Sequence, residues 1–447
     1  MTTIEKATAT DLDEPEAIPP VPAARVASVD ALRGLTILLM VFVNDLGPSA
    51  PSWMHHIEPS KADGMTLADL VFPWFLFIVG VSIPLAFERA RAIGTPGWKQ
   101  VGHILARTSG LLFMGVIVMN HEEDKSARAL LWGTLAFAAL ILAWCAVPRD
   151  SGKKRNVWIG LKVLGAVGLV ALLAVFRSPT ASAELPFWGP VENWAWLRIG
   201  WWGILGLIGW AYLTVALLTL GLGKRREWLM GAMGLLMALH LAINHGGLFT
   251  RVDKKPWLGA ARPAIEMLQR GVEGVERFVS LGESTGSLAA IAMAGCLLGS
   301  ILRRDSDVSS HRARIAWAAS FVVGLFVAGL MTDTFEGINK NAATPAWCFF
   351  SAALACLVWM ILYLLMDVAG FRKWSILIRP AGANPLVAYF LHPITVGTVT
   401  LLGLGGTVLA YQESPDWRVA VAGSLGMACF VCATTGLLGW LGLRVKL

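Results

Sequence analysis

From the amino end onward the chain alternates long apolar runs with short polar breaks. Runs near 28–47, 66–88, 101–120, 127–147, 156–176, 197–222, 227–244, 285–302, 315–333, 344–367, 384–410 and 417–441 have about the 20 residues that carry a helix across a ~30 Å hydrocarbon core. A backbone in lipid must satisfy its own hydrogen bonds, so the pattern predicts an all-α fold, a polytopic transmembrane helical bundle of about 12 helices. A membrane β-barrel would instead show short segments of alternating polarity.

The breaks add orientation. Every second one is basic: Arg89, Arg91 and Lys99; Arg149, Lys153, Lys154 and Arg155; Lys224, Arg225 and Arg226; Arg303, Arg304, Arg312 and Arg314; Arg372, Lys373 and Arg379; Arg444 and Lys446. The short breaks between them hold acids such as Glu122, Glu123 and Asp124. The positive-inside rule then predicts that both termini are cytoplasmic. Residues 1–25 are polar, acidic and proline-rich without an apolar segment, which predicts a disordered cytoplasmic tail and no cleavable signal peptide. Residues 26–447 form the transmembrane domain. Its one long outer break, about 245–284, contains an amphipathic stripe of Ile265, Leu268, Val272, Val275 and Val279, suited to a helix lying on the outer interface or to a lid over an outward-facing pocket.

Composition agrees with a membrane chain. Of 447 residues 56% are hydrophobic and 15% charged, with a mean hydropathy of +0.62, outside the range of soluble domains. The net charge of +7 follows from the topology and calls for no nucleic-acid partner. Twenty Trp against four Tyr, with Trp53, Trp98, Trp194, Trp196 and Trp417 at run ends, fit an interfacial belt in contact with membrane lipid. All six cysteines fall in apolar runs, so no disulfide framework is expected, and the pair Cys429 and Cys432 reads as packing.

Chemistry concentrates in "VFVNDLGPSAPSWMHHIEPSKADGMTLADLVFPWFLFIVG", between the first two runs. It places Asn44, Asp45, His55, His56, Glu58 and Asp63 at the outer end of the bundle. Thr66 and Asp69 have capping-box spacing, which gives Asp69 a structural role at a helix start. Imidazole accepts and returns protons near neutrality and is also a nucleophile, so the histidines are candidates for either chemistry. The sequence H-H-I-E alone does not supply a metal site, and no metal is predicted.

These residues carry a family resemblance. "SVDALRGLTILLMVFVN", a loop with His, and "DGMTLADLVFPWFLFIVGVSI" resemble the catalytic region of the heparan-alpha-glucosaminide N-acetyltransferase family, multispanning enzymes that use acetyl-CoA to acetylate an amino sugar across a membrane. "STGSLAAIAMAGCLLGSIL", "GINKNAATPAWCFFSAALACLVWMILYLLMDVAGFRKW" and "GANPLVAYFLHPI" extend the resemblance to about two fifths of the chain. It implies a transmembrane acyltransferase domain, and its active histidine falls on His56 or His55, with His56 favoured. Asn44 matches the Asn beside that histidine. Asn339 and Lys340 match an Asn-Lys motif and, with Asp333 and Glu336, are candidates for an acceptor pocket, as are Asp45, Asp69 and His392. The donor's phosphates would dock at the inner face, where Arg33, Arg89, Arg91 and Arg379 are candidates. Each of these arginines also reads as a topological anchor.

The chain departs from the family's pattern in two places. "IEPSKADG" replaces a shorter loop carrying Trp-Asn-Gly, and "LRIGWWGILGLIGWAYL" with "EWLMGAMGLLMALHL" looks like an inserted helix pair. No counterpart of the family's large lumenal domain is expected from these residues, so heparan itself is not implied, and a free or glycan-bound amino sugar is the expected acceptor. A bacterial inner membrane is the expected location. Small-residue faces such as "GSLAAIAMAGCLLGS" allow close packing within or between protomers and leave a homo-oligomer open. Two rival readings remain. A secondary transporter of a small sugar or amine shares the twelve-helix outline but predicts repeated halves that are not seen. An O-acyltransferase of envelope glycans differs only in the acceptor.

Overall fold

The computed structural model describes residues 26–60, 62–122, 126–148, 152–176, 196–245, 262–276 and 278–446. The expectations for the tail 1–25 and for Glu123, Asp124, Arg149 and Trp194 lie outside the described residues. In chain order the helices are α1 (Ala27–Asn44), α2 (Leu67–Ala92), α3 (Gly97–Glu122), α4 (Ala127–Ala143), α5 (Lys153–Val175), α6 (Gly203–Leu222), α7 (Arg226–Asn244), α8 (Arg262–Glu276), α9 (Leu288–Leu302), α10 (His311–Glu336), α11 (Pro345–Tyr363), α12 (Arg379–Ala383), α13 (Pro385–Leu401), α14 (Gly405–Val408) and α15 (Trp417–Trp440). Among the described residues ten helical segments are long and apolar enough to cross a membrane. The two shorter apolar helices, α4 and α13, bring the number of apolar helices to twelve. The chain is a multi-pass membrane protein.

Its axis is α9, in which every residue from Leu288 to Leu302 is buried. A helix can sit among others this closely only if its surface is small. Gly295 and Gly299, four residues apart on one face, let α2 approach until a Cβ on Gly295 would stand 1.9 Å from the Phe77 carbonyl oxygen. Reciprocally, a Cβ on Gly80 would stand 1.8 Å from the carbonyl oxygen of Ala292. The small-residue face that left packing within or between protomers open is thus used within the chain, where close backbone approach drives helix association in lipid.

The amino end of α1 has no side-chain cap of its own. Asp367, in the wider turn Leu364–Val368 that ends α11, accepts the backbone N–H groups of Ala27 at 3.1 Å and Ser28 at 3.0 Å, matching a carboxylate to the positive end of the helix. At the same face the Asn384 carboxamide donates to the Leu443 carbonyl and accepts from the Val445 N–H. The two ends of the described chain therefore meet on one side of the bundle. That side also carries Arg33, Arg89, Arg304 and Arg314 around one cavity, and is called the basic face below.

The structure revises some boundaries. The helix predicted over 384–410 is continuous only to Leu401, because Gly403, in the left-handed region at φ 72°, turns the chain away before the short α14. Pro385 opens α13 at a position where no donor is required, directly after Asn384. The run near 285–302 begins earlier, as a wide π turn over Leu281–Ser287. Of the tryptophans, Trp53 and Trp98 are exposed as a belt requires, whereas Trp347 and Trp359 lie in the core. In the amphipathic helix α8, Ile265 is buried while Leu268 and Val275 are exposed. All six cysteines are free.

Replacing Gly295 by Val should force α2 and α9 apart. The expected cost is about 1–3 kcal/mol, as for other overpacked cores, read as a lowered unfolding temperature in detergent. The same change at Gly324, whose added Cβ would meet nothing within 4 Å, should be nearly neutral.

Candidate active site

The loop between α1 and α2 is shaped by one carboxylate. Asp69, in the first turn of α2, completes the capping box with Thr66. Its Oδ2 accepts the N–H of Thr66 at 3.2 Å and the N–H of Ile57 at 3.2 Å, and lies 2.9 Å from the Thr66 hydroxyl. That leaves Oδ1 for His56, whose Nδ1 stands 2.8 Å away. The Asp69 side chain is 1% exposed and that of His56 is 53% exposed, so a buried acid holds an accessible imidazole. Because a carboxylate oxygen only accepts, Nδ1 carries a proton, and in the neutral ring it is Nε2 that presents the lone pair.

The loop joining α10 to α11 closes over this pair. Lys340 places its Nζ 3.1 Å from Nδ1 and 3.5 Å from Nε2 of His56, and 3.7 Å from Asp69 Oδ1. Burial pulls the Lys340 ammonium below the ordinary lysine value, and the attraction of Asp69 offsets this only in part. Asn339 keeps the loop in register: it donates to the carbonyls of Ser60 and Ala62 and accepts from the Ala342 N–H. The Ile338 N–H is bound by Asp63 at 2.7 Å.

Beneath His56 lies a chamber of about 70 Å³. Asn44, His56 and Lys340 supply its polar residues, and Met40, Val71, Phe72, Phe75, Leu205 and Tyr389 are among its walls. On the basic face a second cavity of about 730 Å³ is lined by Arg33, Arg89, Arg304 and Arg314, with Asp30 and Ser82 beside them. The two spaces share α1, α2 and α6 as walls. On α1 the lining passes from Arg33 to Met40, about 10 Å at 1.5 Å per residue.

The remaining candidates divide. His56 and Asn44 face the chamber, whereas His55 contributes its carbonyl to the Thr66 hydroxyl and does not line it. Asp45 and His392, both expected at an acceptor pocket, pair with each other at 3.1 Å. Asp45 also receives the Tyr411 hydroxyl at 2.7 Å and the Gln412 carboxamide at 2.8 Å, so this buried carboxylate ties the end of α1 to the 410–413 turn. Asn339 has its carboxamide donors engaged by the Ser60 and Ala62 carbonyls of the α1–α2 loop. Glu336 faces His240 and His245 and does not line the chamber. Arg33 donates to Ser82 at 2.9 Å and lines the basic cavity with Arg89, while Arg379 is exposed and outside its lining. Arg304 and Arg314, which in the sequence read as topological cations only, and His103, which carries no motif, also line this cavity. Their only signal was position in basic breaks or near one. Among the described residues no group of three or more His, Cys, Asp or Glu side chains is arranged to hold a metal.

A family model described as "Domain of unknown function (DUF5009)" matches residues 25–248, half of the chain. The chain belongs to this DUF5009 family. The matched segment contains α1, α2 and the His56 loop, while Lys340 comes from beyond it. The chain is also similar to heparan-alpha-glucosaminide N-acetyltransferase of Homo sapiens, 39% identical over 415 residues, which is 85% of this chain and 53% of that protein. The protein of the same name from Mus musculus is 27% identical over 412 residues, 83% of this chain and 54% of that one. The chain thus spans about half the length of the curated relatives it matches.

Lys340→Met tests the electrostatics. A lysine lowered by burial destabilises the fold fully below its folded value, and the penalty fades as pH rises from there to the ordinary 10.5. The variant should therefore unfold at higher temperature than wild type near neutrality, with an advantage that shrinks as pH approaches 10.5. An advantage that grows with pH would contradict this sign.

Proposed function

We propose that the protein is a transmembrane N-acetyltransferase that moves an acetyl group from acetyl-CoA, entering at the basic face, to the amine of an amino sugar at the opposite face. In this reading the basic face and both termini lie in the cytoplasm of a bacterial inner membrane. The observation that carries it is the Asp69–His56 pair, with Asp69 on Nδ1 and Lys340 beside the ring, at the mouth of an apolar chamber that shares walls with an arginine-lined cavity. The similarity to heparan-alpha-glucosaminide N-acetyltransferases supports the same reaction class.

The donor's phosphates would be met by Arg89, Arg304 and Arg314, with Arg33 held nearer the entrance of the shared walls. The thioester arm then runs along α1, α2 and α6 toward His56. Two steps are open there. In one, His56 Nε2 attacks the thioester carbonyl, the C–S bond breaks and coenzyme A leaves as thiolate. The acetyl-imidazole is then attacked by the free amine and the imidazole is regenerated. In the other, Nε2 takes a proton from the acceptor ammonium and the amine attacks the thioester directly. On either route an R–NH3+ acceptor sheds two protons, one taken up by the thiolate and one released to solvent. Asp69 fixes the tautomer. Asn44, which lines the chamber, would donate to the oxyanion, an interaction whose loss typically costs about 2.7–4 kcal/mol.

Thiol release from acetyl-CoA by the purified protein should depend on added glucosamine. It should fall by about 10²–10⁴ in His56→Ala, the usual contribution of a positioned acid–base group, and change little in His55→Ala. Turnover with hydroxyl acceptors but not amines would favour the O-acyltransferase. No acetyl-CoA consumption across a panel of amino sugars would overturn the enzyme reading in favour of transport.

Arg304→Ala should raise KM for acetyl-CoA about tenfold, the worth of one charge-assisted hydrogen bond of ~1.5 kcal/mol, with kcat nearly unchanged. An unchanged KM would remove Arg304 from the donor site.

A further inference from the structure

A second ionisable cluster lies at the opposite end of the bundle from the basic face, beside the α10–α11 loop. His240 and His245, near the end of α7, flank Glu336, the last residue of α10. The His240 side chain is 0% exposed and that of Glu336 is 12% exposed. His240 Nδ1 is 3.0 Å from the Gly282 carbonyl in the π turn, which can only accept, so Nδ1 is protonated. His240 Nε2 stands 3.2 Å from Oε2 of Glu336. Without a proton on that line two lone pairs would face each other in a buried site. The Asn244 carboxamide, 3.1 Å from the same nitrogen, can turn either end toward it and does not remove this need. The pair therefore holds one proton between an imidazole and a carboxylate and is neutral as a unit. The other oxygen, Oε1, lies 2.7 Å from Nε2 of half-exposed His245, which opens the cluster to the pH of the solvent.

Three residues separate Glu336 from Lys340. Between them Gly337 turns at φ 68° and Ile338 and Asn339 are pinned to the His56 loop. One end of this strap is anchored on α7 and the other lies against His56. We propose that Glu336, clamped between His240 and His245, is a positioning residue for Lys340, and that protonation of this cluster sets how firmly the strap holds the His56 site closed. The other titratable groups around the cluster are Glu283 from the π turn, Asp333 one turn earlier on α10, and Cys348 from α11. Glu283 and Glu336 both bear electrostatically on Cys348. With carboxylates on two sides, protonated histidines tighten the assembly and neutral ones loosen it. The positioning itself stands apart from the reaction, while its effect on turnover rests on the acetyl-transfer reading.

The test is modification of Lys340 by a water-soluble amine-reactive ester, followed by mass spectrometry of the full-length protein in detergent from pH 6 to 8.5, with exposed Lys99 as internal reference. Glu336→Gln can bind both imidazoles as neutral partners, so it should keep Lys340 protected while losing the pH response. The quotient of wild-type over Glu336→Gln modification should climb with pH, by up to roughly tenfold, within the usual size of coupling between linked sites. Glu336→Ala should leave Lys340 reactive throughout, with thermal unfolding confirming that the variant is folded. A quotient that stays flat, or a folded Glu336→Ala that protects Lys340 as wild type does, overturns the proposal. If the labelling behaves as expected in a protein that never consumes acetyl-CoA, the positioning stands and the enzyme reading falls. In an active enzyme Glu336→Gln should also flatten the pH dependence of kcat/KM at unchanged stability.

Discussion

The site depends on the carboxylate of Asp69. It is buried at the start of a membrane helix, where an unpaired charge would be costly, and it is kept there by donors from both sides of the loop. By accepting the N–H groups of Thr66 and Ile57 it closes α2 and bends the preceding residues back over the helix end. The same group then holds His56 by Nδ1. Helix capping and imidazole orientation are one interaction, so the loop cannot relax without releasing the histidine. Removing the acid would disturb fold and chemistry together, whereas removing the Thr66 hydroxyl touches chiefly the cap.

Around this anchor the bundle is rigid where it must be. The glycine contacts of α2 with α9 bring backbone against backbone and leave no side chains to shift between them. Asp69 rides on α2, so its position relative to the core is set by that contact. The partners that come from elsewhere, Lys340 and Asn44, are brought in by loops and helix ends tied down by their own polar networks. For Asn44 the tie is the next residue, Asp45, held by His392, Tyr411 and Gln412. For Lys340 it is the preceding residue, Asn339, bound to the α1–α2 loop, and before it Glu336, held at the end of α10.

Much of this was legible in the chain. Apolar runs gave the twelve helices because spanning lipid imposes one length on every segment. The spacing of Thr66 and Asp69 gave the cap because a capping box is local. Asp69's second role and the pairing of Asp45 with His392 were not legible, since each depends on which oxygen remains free after folding. Lys340 meets His56 across 284 positions, and no local pattern encodes such a meeting. Trp347 and Trp359 were hidden for a related reason: composition counts tryptophans but does not say which face lipid and which fill the core. The end of α13 was missed because leucines after Leu401 continue the hydropathy while Gly403 ends the helix.

The basic cavity and the upper chamber share walls and yet are two spaces, parted by a length of apolar packing. Such a partition treats solutes by their solvation. A hydrated ion would have to shed its water over that length, at a cost far above thermal energy, whereas a slender, weakly hydrated chain loses little by the same passage. On the proposed acetyl-transfer reading such a bundle would act as a septum with a keyhole, across which a slender chain could react while the two sides stay electrically insulated.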